Sequence, residues 1–416
     1  MKNMYYKKLL FLLISVLLFG NAQANDDEAS LFHFKHPNKK SITIPFKMVN
    51  NLIIIPLFIN NSDTLHFILD TGVNKTIMTG LNFTGQLELN DFKKVQLSGL
   101  GGGETISAVV YKKNNITLGS SIGKNQEVYV LLDDIFHLSS SLGMNVHGLI
   151  GFSVFKNFVV EINYEQKKIV LHNPKKFNYK GKGERLPLSI ERHKPYVEAM
   201  ATQEDGKSIK VKMLIDTGAS HAVSLYDYEN GGIIIPQKSF RSFLGRGLNG
   251  DIHGNIGRID RFKLGSYKLP KPVVSYPDKE DIAIALKLSD RSGSIGSDLL
   301  RRFRVFFDYA NKEIIVRKSG IYKRKFHYNI SGINVITPFP GIKYYSISHI
   351  RPNSLAELAG LKRGDDIIRL NGSSAKNFSM NDLISEFQGE GRKKIKLVVN
   401  RDGKIMKIHF ELNDLI

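Results

Sequence analysis

The 416-residue chain contains no cysteine. That absence excludes disulfides, zinc–thiolate centres, a thiol nucleophile and a lipid-bearing cysteine, so stability has to come from packed cores alone. A membrane-length apolar run is missing too: the longest candidate, "LLFLLISVLLF" from Leu9 to Phe19, is shorter than a bilayer span requires. Metalloprotease HExxH is not found, and "GFSVF" is not a nucleophile elbow. Lysine and arginine outnumber acidic residues 59 to 39, but they come as scattered doublets such as Lys93-Lys94 and Arg301-Arg302. Without a long basic run interleaved with aromatics, the excess reads as a solvated basic surface, and no nucleic-acid partner is expected. Few stretches repeat at 3.6 residues, so a helical fold is not expected either.

What is present begins with a leader. Lys2, Lys7 and Lys8 precede the apolar run, and Ala22-Gln23-Ala24 follows it as a small-x-small cleavage site. Residues 1–24 are therefore read as a secretory signal peptide, the alternative being an uncleaved anchor. Together with the lack of cysteine, this predicts an exported bacterial protein, periplasmic or secreted, with no membrane span once the signal is removed. The net charge of +20 becomes +17 when the three leader lysines are subtracted.

The chain also repeats itself. "FILDTGVNKT" around Asp70 returns as "MLIDTGASHA" around Asp216, 146 residues later. "GLIGFSVFKNFVVEINYEQKKIVL" (148–171) returns as "GSIGSDLLRRFRVFFDYANKEIIV" (293–316) at an offset of 145, with Gly151 matching Gly296 and Tyr164 matching Tyr309. The order of features is the same in both copies, which is the mark of a duplicated domain. Apolar runs around turn residues, such as "LIIIPLFI" and "TLHFILD" about Asn60-Asn61-Ser62-Asp63, predict hairpins in each copy.

Two carboxylates within hydrogen-bonding reach share a proton, so one can activate water while the other protonates a carbonyl. Each copy resembles a retropepsin-like aspartic protease unit: aliphatics running into Asp-Thr-Gly, a glycine-rich flap, then two aliphatics and Gly before a short helix. The resemblance covers roughly residues 40–318. It implies that Asp70 and Asp216 form a catalytic dyad across a pseudo-twofold axis, and that Thr71 and Thr217 tie the two loops together. Gly72 and Gly218 would let the backbone approach the carboxylates. The flaps would be "LSGLGGGE" (97–104) and "FLGRGLNGD" (243–251), with Gly99, Gly101, Gly102, Gly245 and Gly247 over the substrate. The "GRGLNG" in the second flap has the dinucleotide spacing but no strand–helix context, and is set aside. After the motifs stand Val73, bulkier than the usual residue and able to crowd the dyad, and Ala219. Neither carries a hydroxyl, so the dyad is expected to hold its proton tightly and work at mildly acidic to near-neutral pH. His33 and His36 suggest a solvated segment and not a metal site; neither metal nor cofactor is expected.

From about Phe326 the character changes. "SLAELAGLKRGD" (354–365) resembles the core of a PDZ domain, with Leu355 in the usual proline position. The resemblance implies that an extended chain end adds as a strand beside the helix of 379–387, its carboxylate held by the loop Ser331-Gly332-Ile333. A fold kept for packing alone is the open alternative.

The expected architecture is mainly β: two retropepsin-like β-barrel lobes related by a pseudo-twofold, then an α+β PDZ domain. Boundaries are set at 1–24 for the signal, 25–39 for an N-terminal segment, 40–172 for lobe 1, 173–183 for a linker, 184–320 for lobe 2 and 326–416 for PDZ. The expected function is aspartic endopeptidase action on polypeptide substrates, by a monomer with an internal pseudo-dimer, the PDZ domain recruiting substrate or a ligand peptide. The alternatives are an inactive peptide-binding protein of the cell envelope and a basic surface that docks to anionic envelope material.

Overall fold

The computed structural model describes residues 16–17, 31–80, 92–226, 232–389 and 392–416. Apart from Val16 and Leu17, which pair with Gly99 and Ser98, the segment read as a signal peptide lies outside the described residues. The rest is mainly β, in two lobes with a small sheet domain after them.

Each lobe is built around the same three-strand crossing. In lobe 1, Gly148–Ile150 runs parallel to Leu65–Leu69 and antiparallel to Thr76–Met78. In lobe 2, Gly293–Ile295 runs parallel to Ser208–Ile215 and antiparallel to Val223–Leu225. The inserted strand is squeezed from both sides: a Cβ on Gly148 would lie 1.9 Å from the Ile77 carbonyl oxygen, and one on Gly293 would lie 1.9 Å from that of Ser224. Only glycine fits, which is why the repeat keeps it. Short helices follow at Phe152–Asn157 and Ser297–Leu300.

A six-stranded antiparallel sheet joins the lobes, in the order Glu184–Pro187, Glu313–Lys318, Phe303–Asp308, Val159–Asn163, Lys168–His172, Ser41–Pro45. At its centre Val160 faces Phe307, Glu161 faces Phe306 and Ile162 faces Val305. Residue 161 thus pairs with its own repeat counterpart, and the pseudo-twofold axis passes through that pair. Because the strands alternate sides, their inner faces feed one apolar core that spans both lobes, from Phe34 and Ile55 to Phe262 and Val305. Lobe 1 extends further toward the N-terminus than residue 40: Phe32–Phe34 pairs with Ser121–Leu131, and Phe32 and Phe34 are buried in this core.

The third unit has the sheet order Ile333–Ile336, Tyr345–Ile350, Asp366–Leu370, Lys393–Arg401, Lys404–Leu412. Its helices are Leu355–Leu358, capped by Ser354, and Met380–Glu386, capped by Ser379 in a capping box with Asp382. The last hairpin turns at Asp402-Gly403, both with positive φ as such a two-residue turn requires. The links that hold this unit on the lobes include the bond from the Thr337 amide to the Ser140 carbonyl and two side-chain contacts. The buried Arg302 guanidinium donates to the carbonyls of Arg324 and Lys325 and lies 3.5 Å from the Phe326 ring centre. On the other side, the Asn50 amide donates to Asn381 Oδ1 at 2.9 Å, and Asn381 Nδ2 donates to the Met48 carbonyl at 2.7 Å.

Candidate active site

The strands Leu65–Leu69 and Ser208–Ile215 end at Asp70 and Asp216, and both acids are wholly buried. Each is held from behind by the inserted strand: Asp70 N donates to the Ile150 carbonyl at 2.8 Å and Asp216 N to that of Ile295 at 2.9 Å. The threonines beside them are interlocked. Thr71 N donates to Thr217 Oγ1 and Thr217 N to Thr71 Oγ1, both at 3.0 Å. Each hydroxyl then donates across the axis, Thr71 Oγ1 to the Ile215 carbonyl at 2.6 Å and Thr217 Oγ1 to the Leu69 carbonyl at 2.7 Å. Four hydrogen bonds in two reciprocal pairs therefore clamp one loop to the other, inside one chain.

The carboxylates face each other over this clamp. Oδ1 of each accepts the amide two residues on, Gly72 N to Asp70 at 2.6 Å and Gly218 N to Asp216 at 3.0 Å. The two Oδ2 atoms are buried without a donor among the described residues. Glycine is required at Gly218, where a Cβ would stand 2.2 Å from the Asp70 carboxyl carbon, and a Cβ on Gly72 would be a tight contact 3.0 Å from Asp70 Oδ1. Burial, and after it the neighbouring Asp216, pushes the Asp70 carboxyl well above the usual carboxylate range. Burial also raises Asp216, against the pull of Asp70, Lys194 and Arg291. A pair in this arrangement holds one proton and one negative charge, the state that activates water.

Residues 55–154 match the family model described as aspartyl protease, and residues 346–401 match the one described as PDZ domain. The chain carries an aspartyl protease domain and a C-terminal PDZ domain. No curated protein matches it. The protease match lies within lobe 1; lobe 2 repeats its Asp-Thr-Gly, the glycines of its inserted strand and a short following helix in the same order.

Above the two aspartates the glycine-rich hairpins meet. Lobe 1 supplies the hairpin of Phe92–Gly99 and Ile106–Leu118, lobe 2 that of Ser239–Gly247 and Gly250–Arg258. Asn249 is the clasp: its amide donates to the Leu100 carbonyl, its carbonyl accepts from Gly103 N, its Oδ1 accepts from Gly99 N and its Nδ2 donates to the Glu104 carbonyl at 2.8 Å. Gly101 N donates to the Asp281 carbonyl, and Gly102 lies beside the Asp281 side chain. Gly245 sits at an irregularity in the second flap, and a Cβ on Gly247 would fall 2.1 Å from the Leu100 carbonyl oxygen. Of the expected flap glycines, Gly99, Gly101 and Gly247 thus serve contact between the flaps, Gly102 lies against the Asp281 segment and Gly245 marks the irregularity. The tip leucines are exchanged: Leu248 packs in the lobe 1 cluster that holds Val73, and Leu100 in the lobe 2 cluster that holds Ala219. Val73 accordingly packs among Leu52, Leu97 and Leu248.

In the PDZ domain, the three loop residues singled out from sequence have occupied amides. Ser331 N donates to the Phe387 carbonyl, Gly332 N to Asn329 Oδ1 at 3.0 Å and Ile333 N to Ser331 Oγ at 3.0 Å. The groove between Ile333–Ile336 and Met380–Glu386 is roofed by lobe 1, with Asn50 and Ser141 over it and the Thr337 amide donating to the Ser140 carbonyl. Beside it, a cavity of about 350 Å³ lies between the PDZ domain and the two lobes, lined by Met48 and Asn51 of lobe 1 and reaching Ser220 and His221 after the second Asp-Thr-Gly.

Sequence reasoning missed Asn249, Leu100 and Leu248, because tip contacts across an axis leave no local pattern. It also missed Lys194 and Arg291, 2% and 4% exposed, which act on the dyad from lobe 2 alone. Their signal was available: they are charges standing where the other copy has apolar residues.

Proposed function

We propose that this chain is an aspartic endopeptidase that cleaves polypeptides with a water held between Asp70 and Asp216. The observation that carries it is the reciprocal threonine clamp, which sets two buried carboxylates side by side with their outer oxygens turned to no protein donor. The ionised member draws a proton from water as it attacks the scissile carbonyl. The protonated member donates to the developing oxyanion; the proton taken from water then passes to the leaving amine, and a hydroxyl of the tetrahedral intermediate returns its proton to the dyad as the carboxyl forms. Burial keeps bulk water out and strengthens both transfers. Substrate reaches the dyad only after the flaps part, so opening is a step of the cycle. The PDZ domain is read as a module that holds or positions polypeptide once its roofed groove is released. The leader and the absence of cysteine support export to the periplasm or beyond, and the internal dyad supports action as a monomer.

A second reading, an inactive peptide-binding protein of the envelope, is favoured by one observation: the dyad is sealed under flaps bonded to each other. The deciding experiment is cleavage of an unfolded protein across acidic to neutral pH, with Asp70→Asn and Asp216→Asn alongside. Hydrolysis by the wild type, lost by a factor of about 10³ or more in either variant, supports the protease. Peptide binding without cleavage in all three proteins overturns it.

A further inference from the structure

The two halves of the dyad are not equivalent, and the difference lies in the hairpin behind each aspartate. In lobe 1, Ile54 pairs with Ile68, so continuing the register by two residues sets Leu52 opposite Asp70. In lobe 2, Tyr196 pairs with Leu214, and the same continuation sets Lys194 opposite Asp216. The turns agree, since Val49 pairs with Leu52 and Glu191 with Lys194. Lys194 is therefore the counterpart of Leu52, and it is among the largest fully buried side chains of the protein.

A second charge follows the same rule. His147 N donates to the His66 carbonyl and Ser292 N to that of Lys212, which makes Val146 the counterpart of Arg291. Arg291 is buried, with its guanidinium 5.6 Å from the ring centre of Tyr226. Tyr226 in turn is the counterpart of Thr79, for both amides donate to the residue just beyond Val146 or Arg291. Lobe 2 has thus replaced Leu52, Val146 and Thr79 with a lysine, an arginine and a tyrosine. Its smaller Ala219 stands where lobe 1 has Val73.

Among the described residues, other titratable groups lie nearby. Glu191 turns to Lys212 at 2.8 Å, and His193 packs its ring, tilted, on Phe152 of lobe 1 with centroids 4.2 Å apart. The tyrosines facing the site, Tyr226 beside Asp216 and Tyr309 beside Asp70, are pushed upward by burial and stay neutral. Tyr196 bears on Tyr226 and carries the Lys212 ammonium 5.3 Å from its ring centre. The ammonium of Lys194 acts on both aspartates, but Arg291 adds its charge on the Asp216 side. Burial lowers Lys194 itself to about 7, so it is a cation throughout the acidic range.

We propose that Lys194, backed by Arg291, breaks the symmetry of the dyad, fixing Asp216 as the ionised base and Asp70 as the proton-carrying acid. Resting on the protease reading, this makes Lys194 a positioning residue that acts through Asp216. Removing a cation destabilises the nearby carboxylate, so the acid limb of the pH–rate profile moves up.

The test has two arms. In the first, Lys194→Met shifts the acid limb upward by about one pH unit, and Lys194→Arg returns it toward the wild-type position; an unmoved limb in a folded Lys194→Met overturns the proposal. The second arm needs neither activity nor a lysine variant. At pH 6, Asp70→Asn replaces a neutral group and unfolds at or above the wild-type midpoint. Asp216→Asn strips the anion from two buried cations and unfolds lower by about 2–4 °C. Equal midpoints overturn the proposal. If no substrate is cleaved at any pH while the midpoints differ, the hydrolytic reading fails and the charge assignment stands.

Discussion

Thr71 Oγ1 accepts from Thr217 N and donates to the Ile215 carbonyl, so a single hydroxyl satisfies two buried backbone groups of the other lobe. Thr71→Val keeps the volume and abandons both groups. Denaturant unfolding is expected to show a loss of about 2–4 kcal/mol, with Thr71→Ser recovering most of it. A loss below 0.5 kcal/mol would mean that the clamp is not what holds the loops together. At this scale the site was readable where chemistry forces a local pattern. Asp-Thr-Gly needs a particular glycine because a side chain at Gly218 would strike the opposite carboxyl group. Lys194 escaped because its meaning depends on register: "HKPYV" looks like an ordinary turn and strand until Lys194 is set opposite Asp216 and compared with Leu52.

Among elements, the hairpins and the inserted strand were legible from alternation and turn residues, and the expected flaps are hairpins at the expected places. What the pattern could not convey was where the tips go. Both end in glycine and leucine, yet each leucine leaves its own lobe and packs beside the residue that follows the other lobe's Asp-Thr-Gly. Asn249 closes this arrangement with backbone and side-chain bonds to four residues of the first flap. Asn249→Ala removes the side-chain half. Hydrogen exchange at the amides of Gly99 and Gly103 is expected to quicken about tenfold or more, with little change at Thr71. Unchanged exchange at Gly99 would show that the leucine exchange alone keeps the flaps shut.

Over the whole molecule, the duplication and the PDZ core declared themselves by repeated order and by "AGLKRGD", whereas contacts between units did not, since they join residues far apart in sequence. Arg302 is the largest of these: a fully buried guanidinium donating to the carbonyls of Arg324 and Lys325 and stacked on Phe326. Arg302→Gln leaves carbonyls unpaired, and brief proteolysis is expected to cut within residues 318–326 and release the PDZ domain as a separate fragment. If the variant resists cutting as the wild type does, the remaining contacts with the lobes, Asn50–Asn381 and Thr337–Ser140 among them, are enough to hold the domain. The sheet shared by the lobes has a different outcome. Val159–Asn163 finds its neighbour Phe303–Asp308 only after a second lobe has been made, and until then it is a bare edge. The neighbour it waits for is present on every other copy of the chain. Two molecules that mature side by side can each lend the other its closing half, yielding an exchanged pair with two complete sites, each assembled from both polypeptides.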